Sequence, residues 1–251
     1  MLLRDSIATP EGKRRYVRAL FATIADRYDF ITVALSYGQD RRWKRRLVDL
    51  AAPHSGARAL DLATGTGDIA FALAARGATV VGLDVTPRMI ELAHAKLDRS
   101  ADRLRRGHGG QEAFALRFVV GDMLALPFPD ASFDIVTMGY GLRNVPDLSL
   151  AIQEIRRVLT PGGRMLSLDF NRPSNALVRA AYLTYLTAVG GALGWILHRD
   201  PDTYRYIPAS IRQYPGAVAV ARMLEEHGLT RARYYPVLGG LMAIHHAIAE
   251  S

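Results

Sequence analysis

The 251-residue sequence predicts an α/β domain: a mostly parallel sheet with helices on both faces. Three observations carry this. Between residues 58 and 170, short apolar runs alternate with segments of helical periodicity, the pattern of parallel βαβ units. The runs are apolar almost without interruption, as strands buried on both faces are. The first run ends in a glycine-containing turn that opens directly into a helix.

Residues 14–30 read as a helix, with Val17, Leu20, Phe21 and Ile24 at i, i+3, i+4 and i+7. A second helix spans 41–50 and stops before Ala52-Pro53, because the residue ahead of a proline avoids the helical region. Strands follow at 58–63 and 79–84, separated by a helix at 69–76 that Gly77 ends. A helix at 87–97 takes Thr86 as N-cap and Pro87 at its first position. Residues 99–113, polar and glycine-containing, read as a surface loop. Strands at 116–121 and 133–139, a helix at 148–159 stopped by Pro161-Gly162-Gly163, and a strand at 164–170 complete the alternation. Residues 176–197 are apolar with one charge, Arg179, and long enough for a membrane span. Gly190, Gly191 and Gly194, with the polar Thr184, Tyr185 and Thr187, favour a buried or lid-forming helix pair instead. A helix at 217–227 and strands at 232–237 and 241–249 follow, making seven strands in all.

Composition narrows the chemistry. There is no cysteine, which excludes disulfides, thiolate metal sites and a cysteine nucleophile. Residues 1–9 carry Arg4 and Asp5 and no apolar run, so a signal peptide is not expected and the cytoplasm is the expected location. The net charge of +8 suits a nucleic-acid surface, an anionic membrane surface, or neither. Two basic clusters, Arg41-Arg42-Trp43-Lys44-Arg45-Arg46 and Arg103-Leu104-Arg105-Arg106, read first as solvated helix faces or loops. No metal set is expected, since His245 and His246 point to opposite faces of a strand.

The central signal is Leu60-Asp61-Leu62-Ala63-Thr64-Gly65-Thr66-Gly67-Asp68. Glycines there let the backbone turn sharply and a ligand approach closely. Asp84 closes the next strand, where an acid can accept both hydroxyls of a ribose; that pair alone fits a dinucleotide equally well. Asp68 beside the turn disfavours a pyrophosphate and suits a ligand carrying an ammonium and a sulfonium. Gly121-Asp122-Met123 ends the third strand, with an acid placed to hold an adenine amino group.

This succession resembles the class I S-adenosylmethionine-dependent methyltransferases, with their Rossmann-like fold and antiparallel last strand. The resemblance narrows at Tyr28-Asp29, Ser36-Tyr37-Gly38, Arg42-Trp43-Lys44 and Gly141-Leu142-Arg143-Asn144-Val145. Glu154, Arg157, Pro161-Gly162-Gly163, Tyr204-Arg205-Tyr206, Ser210-Ile211 and Ala243-Ile244-His245 continue it. From about Tyr16 to Ala247 the chain resembles the UbiE/Coq5/MenG quinone-ring C-methyltransferases. It departs at Ile31-Thr32, at Asp40 where the family has histidine, at Gly139 where it has serine, and at His246 where it has arginine.

The resemblance implies S-adenosylmethionine as cofactor, on Asp61, Ala63, Thr64, Gly65, Thr66, Gly67, Asp84, Val85, Asp122, Met123 and Gly139. It implies a polyprenylated quinol as substrate, near Tyr28, Tyr140, Arg143 and Tyr204, with demethylmenaquinol favoured over a ubiquinol precursor. Arg143 is expected to stabilise a phenolate, with Asn144 orienting it; a salt bridge from Arg143 to Asp147 or Glu154 is the competing role. For a general base the candidates are Asp122, His245 and Asp169, with His245 equally a core residue. The expected organisation is one domain: a helical cap (1–52), a cofactor-binding core (53–170), a helical lid and substrate region (171–215) and a C-terminal helix with hairpin (216–251). The expected partners are the lipophilic quinol and an anionic bilayer reached peripherally, on the inner face of the plasma membrane; a homodimer is compatible, and no nucleic acid is expected. Alternatives are a methyltransferase of another phenol or polyketide, or a cofactor-binding protein of the same fold without methyl transfer.

Overall fold

The computed structural model describes residues 7–106 and 115–250, with backbone alone for 103–106. The cluster at 103–106 and the second half of the expected loop therefore lie outside the described side chains.

The N-terminal helix does not run from 14 to 30. It begins earlier, as α1 (Pro10–Ile24), because Thr9 caps it: its hydroxyl accepts from the Gly12 amide at 3.1 Å, and Pro10 takes the first turn. A 3-10 turn at Ala25–Arg27 then redirects the chain into α2 (Tyr28–Leu35). The bend lets Ile24 from one helix and Ile31 from the other bury against Tyr204. Helix α3 (Asp40–Ala51) ends at Ala52, whose left-handed φ of 44° brings its N–H onto the carbonyls of Val48 and Asp49 ahead of Pro53.

Among the described residues, seven strands form one sheet in the order β3-β2-β1-β4-β5-β7-β6. They are β1 (Arg58–Leu62), β2 (Thr79–Asp84), β3 (Leu116–Val120), β4 (Phe133–Gly139), β5 (Leu159–Phe170), β6 (Leu229–Val237) and β7 (Met242–Ala249). β1 to β5 pair in parallel, and β7 runs antiparallel to both β5 and β6. The order reverses between β1 and β4, which places a crevice at their carboxyl ends. α4 (Asp68–Ala74) and α5 (Pro87–Arg106) cover one face together with α3, burying Leu47, Leu73 and Ile90. α6 (Leu148–Val158) and α9 (Ala217–Glu226) cover the other with Ile155, Val220 and Leu224.

Three expectations need correction here. α5 runs 20 residues, so 99–106 are its last turns rather than loop. In sequence the segment is mostly polar and shows no apolar stripe; within it the Ser100 hydroxyl donates to the Lys96 carbonyl at 2.9 Å. β5 starts at Leu159, and Pro161-Gly162-Gly163 occupies a register shift opposite β4 instead of a turn before the strand. The apolar 176–197 segment forms a single helix, α7 (Ala176–His198), which packs on α8 (Asp202–Gln213). Its glycines are contacts, not breaks: a Cβ on Gly194 would lie 2.4 Å from the Asp200 carbonyl oxygen.

Candidate active site

The crevice at the strand ends holds a cleft of about 750 Å³. Its floor is the turn after β1, where Gly65 and Gly67 adopt φ of 55° and 91°. A Cβ on Gly67 would meet the Phe118 ring at 2.6 Å, so this glycine packs α4 onto β3 and lines neither cavity described here. Asp84 closes β2 and is buried, which pushes its carboxyl up. One oxygen accepts from the Gly65 amide at 2.9 Å, the other from the Thr86 amide at 2.8 Å. Ala63, Gly65, Asp84, Val85, Asp122, Met123 and Gly139 all line this cleft.

A recess of about 300 Å³ continues from it, walled by Lys44, Asp61, Thr64, Thr66 and Asp68. Asp61 lies at its base, accepting from Thr64 at 2.6 Å and Thr137 at 2.7 Å; burial raises its pKa to about 6 despite those bonds. Asp68 is paired with two lysines. Burial pushes its pKa up, but Lys44 at 3.0 Å and Lys96 at 3.1 Å outweigh that and hold it down.

A second, larger cavity of about 1060 Å³ lies under α1, α2, α7 and α8 and shares Phe21, Tyr28 and Tyr140 with the cleft. Tyr204 lines it, its hydroxyl 2.8 Å from His198 Nε2. Tyr140 divides the two spaces with φ of 61°, a conformation that costs a bulky residue about 1–3 kcal/mol and needs support. Support comes from its amide, donating to Leu168 at 2.7 Å, and its hydroxyl, donating to the buried Asp40 at 2.6 Å. Asp40 in turn pairs with Lys44 at 2.7 Å.

Among the described residues lining the larger cavity, Arg143 is the only charged one. It is 6% exposed. Its Nε lies 3.0 Å from Asp169 Oδ1, and its amide donates to Asp169 Oδ2 at 3.1 Å. Nη1 donates to Asn144 Oδ1 at 2.7 Å and to Ser210 Oγ at 3.2 Å, and the guanidinium sits 4.9 Å from the Phe170 ring centre. Asn144 is fixed by donating to the Tyr140 carbonyl at 2.7 Å, and lines the smaller cleft. The competing partners of Arg143 are engaged elsewhere: Asp147 caps α6 at the Leu150 amide, and Glu154 pairs with Arg157 at 2.7 Å.

The site does not gather His245. It is 1% exposed on β7, with Nε2 3.0 Å from the Ala217 carbonyl, and lines neither cavity. Burial lowers its pKa to about 4, which makes it a neutral core residue. Asp122 lines the cleft but pairs with Arg14 and accepts from the Leu124 amide at 3.0 Å. Asp169, the third candidate base, lines neither cavity and serves Arg143. Sequence reasoning missed Lys13 and Arg14. The Lys13 ammonium donates to the carbonyls of Arg143 at 2.9 Å and Val145 at 2.8 Å; burial, then the nearby Arg143, lowers its pKa to about 8. Arg14, Val17 and Phe21 sit at i, i+3 and i+7 of α1 and all line the cleft, a periodicity that extends the apolar stripe already visible.

Residues 9–249 match the ubiE/COQ5 methyltransferase family. The chain belongs to this family. It is 41% identical to the demethylmenaquinone methyltransferase of Thermus thermophilus, over 90% of this chain and 98% of that protein. To the Deinococcus radiodurans protein of the same name it is 38% identical, over 95% and 94%. To the ubiquinone/menaquinone biosynthesis C-methyltransferase UbiE of Hahella chejuensis it is 36% identical, over 94% and 92%. A solved SAM-dependent methyltransferase from Aquifex aeolicus shares the fold, with a TM-score of 0.56 at 16% identity over 82% of this chain and 88% of that one. A SAM-dependent methyltransferase from Thermotoga maritima does so at 0.63 and 15%, over 93% and 100%. This family member is an S-adenosylmethionine-dependent methyltransferase. The cleft fits that cofactor: two carboxylates at strand ends, apolar Met89 and Met123 beside them, and a charged recess beyond the glycine turn.

Proposed function

We propose that this methyltransferase alkylates a ring carbon of a polyprenylated quinol, converting demethylmenaquinol to menaquinol. One observation carries the reading: an apolar cavity of about 1060 Å³ adjoins the cofactor cleft and, among the described residues, has a single charged lining residue, Arg143. A lipophilic ring with an ionisable hydroxyl is the ligand such a cavity selects. The relatives named for demethylmenaquinone methylation and for ubiquinone/menaquinone biosynthesis support the same substrate class.

Bound S-adenosylmethionine supplies an electrophilic methyl group. Asp84 and Asp122 are assigned to its adenosyl part, and Lys44 and Asp61, which wall the recess, to its amino-acid part. Tyr28, Tyr140 and Phe21 form the boundary across which ring and donor must approach within about 3–3.5 Å. Arg143 lowers the pKa of a ring hydroxyl beside it by stabilising the anion, which makes the ring carbon nucleophilic. Asp169, Asn144 and Ser210 hold the guanidinium so that little reorganisation is needed as charge develops. No carboxylate or histidine lines the larger cavity among the described residues, so the hydroxyl proton lost on ionisation and the ring proton lost on rearomatisation both pass to water.

A panel with labelled S-adenosylmethionine tests this: a reduced demethylmenaquinol, a demethylated ubiquinol precursor and a simple phenol. Carbon-linked label in the first is expected. Label only in the simple phenol would overturn the quinol reading.

A further inference from the structure

We propose that the outer face of α7 lies flat on an anionic lipid bilayer, with the mouth of the quinol cavity opening against the lipid. The inference rests on the quinol reading, since a prenylated substrate resides in the membrane.

α7 has the length and composition of a membrane span, at 23 residues and a mean hydropathy of 1.4 over its most apolar window. It is roughly 35 Å long at 1.5 Å per residue. Its packing rules out crossing. Tyr182, Leu183, Leu186, Gly190, Gly191 and Gly194 are buried, and the glycines bring the helix onto the backbone and side chains of α8 and the turn before it. One side is therefore committed to protein.

The other side is not. Leu177, Ala181, Tyr185, Ala188, Ala192 and Ile196 follow at steps of three and four, which is one stripe, and all are exposed. Leu177 is 82% exposed, Ile196 72% and the adjacent Trp195 63%. A stripe this apolar on the surface of a folded protein marks a docking face.

Two observations name its occupant. First, the stripe is flanked by cations. Arg172 and Arg179 stand at the start of the helix, Arg179 donating to the Pro173 carbonyl at 2.9 Å. Arg27, which donates to the Leu197 carbonyl, and Arg199 stand at its end. The acids that follow are engaged, Asp202 with Arg205 at 3.0 Å and Asp200 with the Thr203 hydroxyl at 3.2 Å. Two copies paired along the stripe would bring arginines against arginines in either orientation; an anionic headgroup layer complements them at both ends. An apolar face carrying Trp and Tyr between basic ends is the pattern of a helix lying in the membrane plane. Second, the stripe is continuous with the cavity. Tyr185 belongs to the exposed stripe and also lines the cavity, and its hydroxyl meets that of Tyr37 across the opening. Tyr37 and Leu238 line the cavity and are likewise exposed, so the rim and the stripe form one apolar surface.

Quinol-free vesicles provide the test, made either of phosphatidylglycerol with phosphatidylcholine or of phosphatidylcholine alone. The chain has two tryptophans, and Trp43 is buried, so Trp195 reports on the surface. The protein is expected to float with the anionic vesicles, and brominated lipid is expected to quench its fluorescence. Trp195→Phe should float but lose the quenching. The variant combining Leu177→Glu, Trp195→Glu and Ile196→Glu should bind anionic vesicles at least about tenfold more weakly. It should keep wild-type cofactor binding and its rate on a short-tailed quinol free in solution, and lose rate on quinol embedded in vesicles. Absence of flotation overturns the proposal, as does flotation without quenching. A dimer that the triple variant converts to monomer, with no vesicle binding, would assign the stripe to self-association instead. Vesicle binding in a protein that methylates no quinol would overturn the substrate reading and leave the surface in place.

Discussion

Arg143 and Asp169 form a buried ion pair at 3.0 Å, 6% and 1% exposed. Pairs of this kind add little net stability while intact, but removing one partner strands a charge in the interior. Asp169→Ala is therefore expected to cost about 3–5 kcal/mol in chemical denaturation, far more than a surface substitution. His245 yields a pH prediction with a definite sign. Its pKa is about 4 in the fold against 6.5 unfolded. Between those values the unfolded chain binds a proton that the fold refuses, so stability falls as pH drops from 6.5 to 4, by about 3 kcal/mol. Asp61 has the opposite sign, since its raised pKa of about 6 favours the fold as pH falls. The difference between wild type and His245→Gln isolates the histidine: the variant should lose less Tm across that window, and equal losses would contradict the burial argument. At this scale the sequence revealed Asp61, Asp84 and Asp122, because acids closing successive strands must face one crevice. It did not reveal the partner of Arg143. Asp169 is 26 residues away and meets it only through sheet register, whereas the nearer Asp147 and Glu154 have local uses.

Among elements, the alternation of β1 to β5 with α4, α5 and α6 was readable because the inner strands β1, β2 and β4 are buried on both faces and the helices on one. The errors fall where that logic weakens. The end of α5 has no apolar stripe to betray it, and the bend between α1 and α2 answers to Tyr204, nearly 180 residues on. The glycines of α7 look like breaks in one dimension and prove to be close approaches in three. Gly194→Ala would set a methyl 2.4 Å from the Asp200 carbonyl oxygen, backbone that cannot swing aside. Overpacking of this kind costs about 1–3 kcal/mol. The variant should show that loss in denaturation, together with a raised KM for quinol and an unchanged KM for cofactor, because α7 and α8 wall only the larger cavity. A raised cofactor KM would mean that the two cavities are coupled through more than their shared boundary.

The whole molecule is a mostly parallel sheet, with β7 antiparallel, whose crevice is flanked by two helical groups of different chemistry, a cap of α1 to α3 and the pair α7 and α8. The cap is tied to the core by ion pairs that surround the cofactor cleft: Arg14 with Asp122, Arg88 with Asp26, Lys96 with Asp29 and Lys44 with Asp68. α7 and α8 wall the larger cavity with Tyr182, Leu186, Tyr204 and Ile207, and Arg143 is the one charged residue among the described residues that line it. Composition hinted at both, through the arginine-rich first helices and the long apolar segment, but neither the seams nor the shared tyrosine wall follows from local pattern. The central claim is that the cation in the apolar cavity drives carbon methylation of a quinol. Single-turnover methyl transfer to a short-tailed demethylmenaquinol, in wild type and Arg143→Ala at saturating cofactor, tests it most directly. The account predicts carbon-linked label in the wild type and a rate about 10²–10³-fold lower in the variant, with cofactor affinity unchanged. A variant as fast as wild type would contradict it.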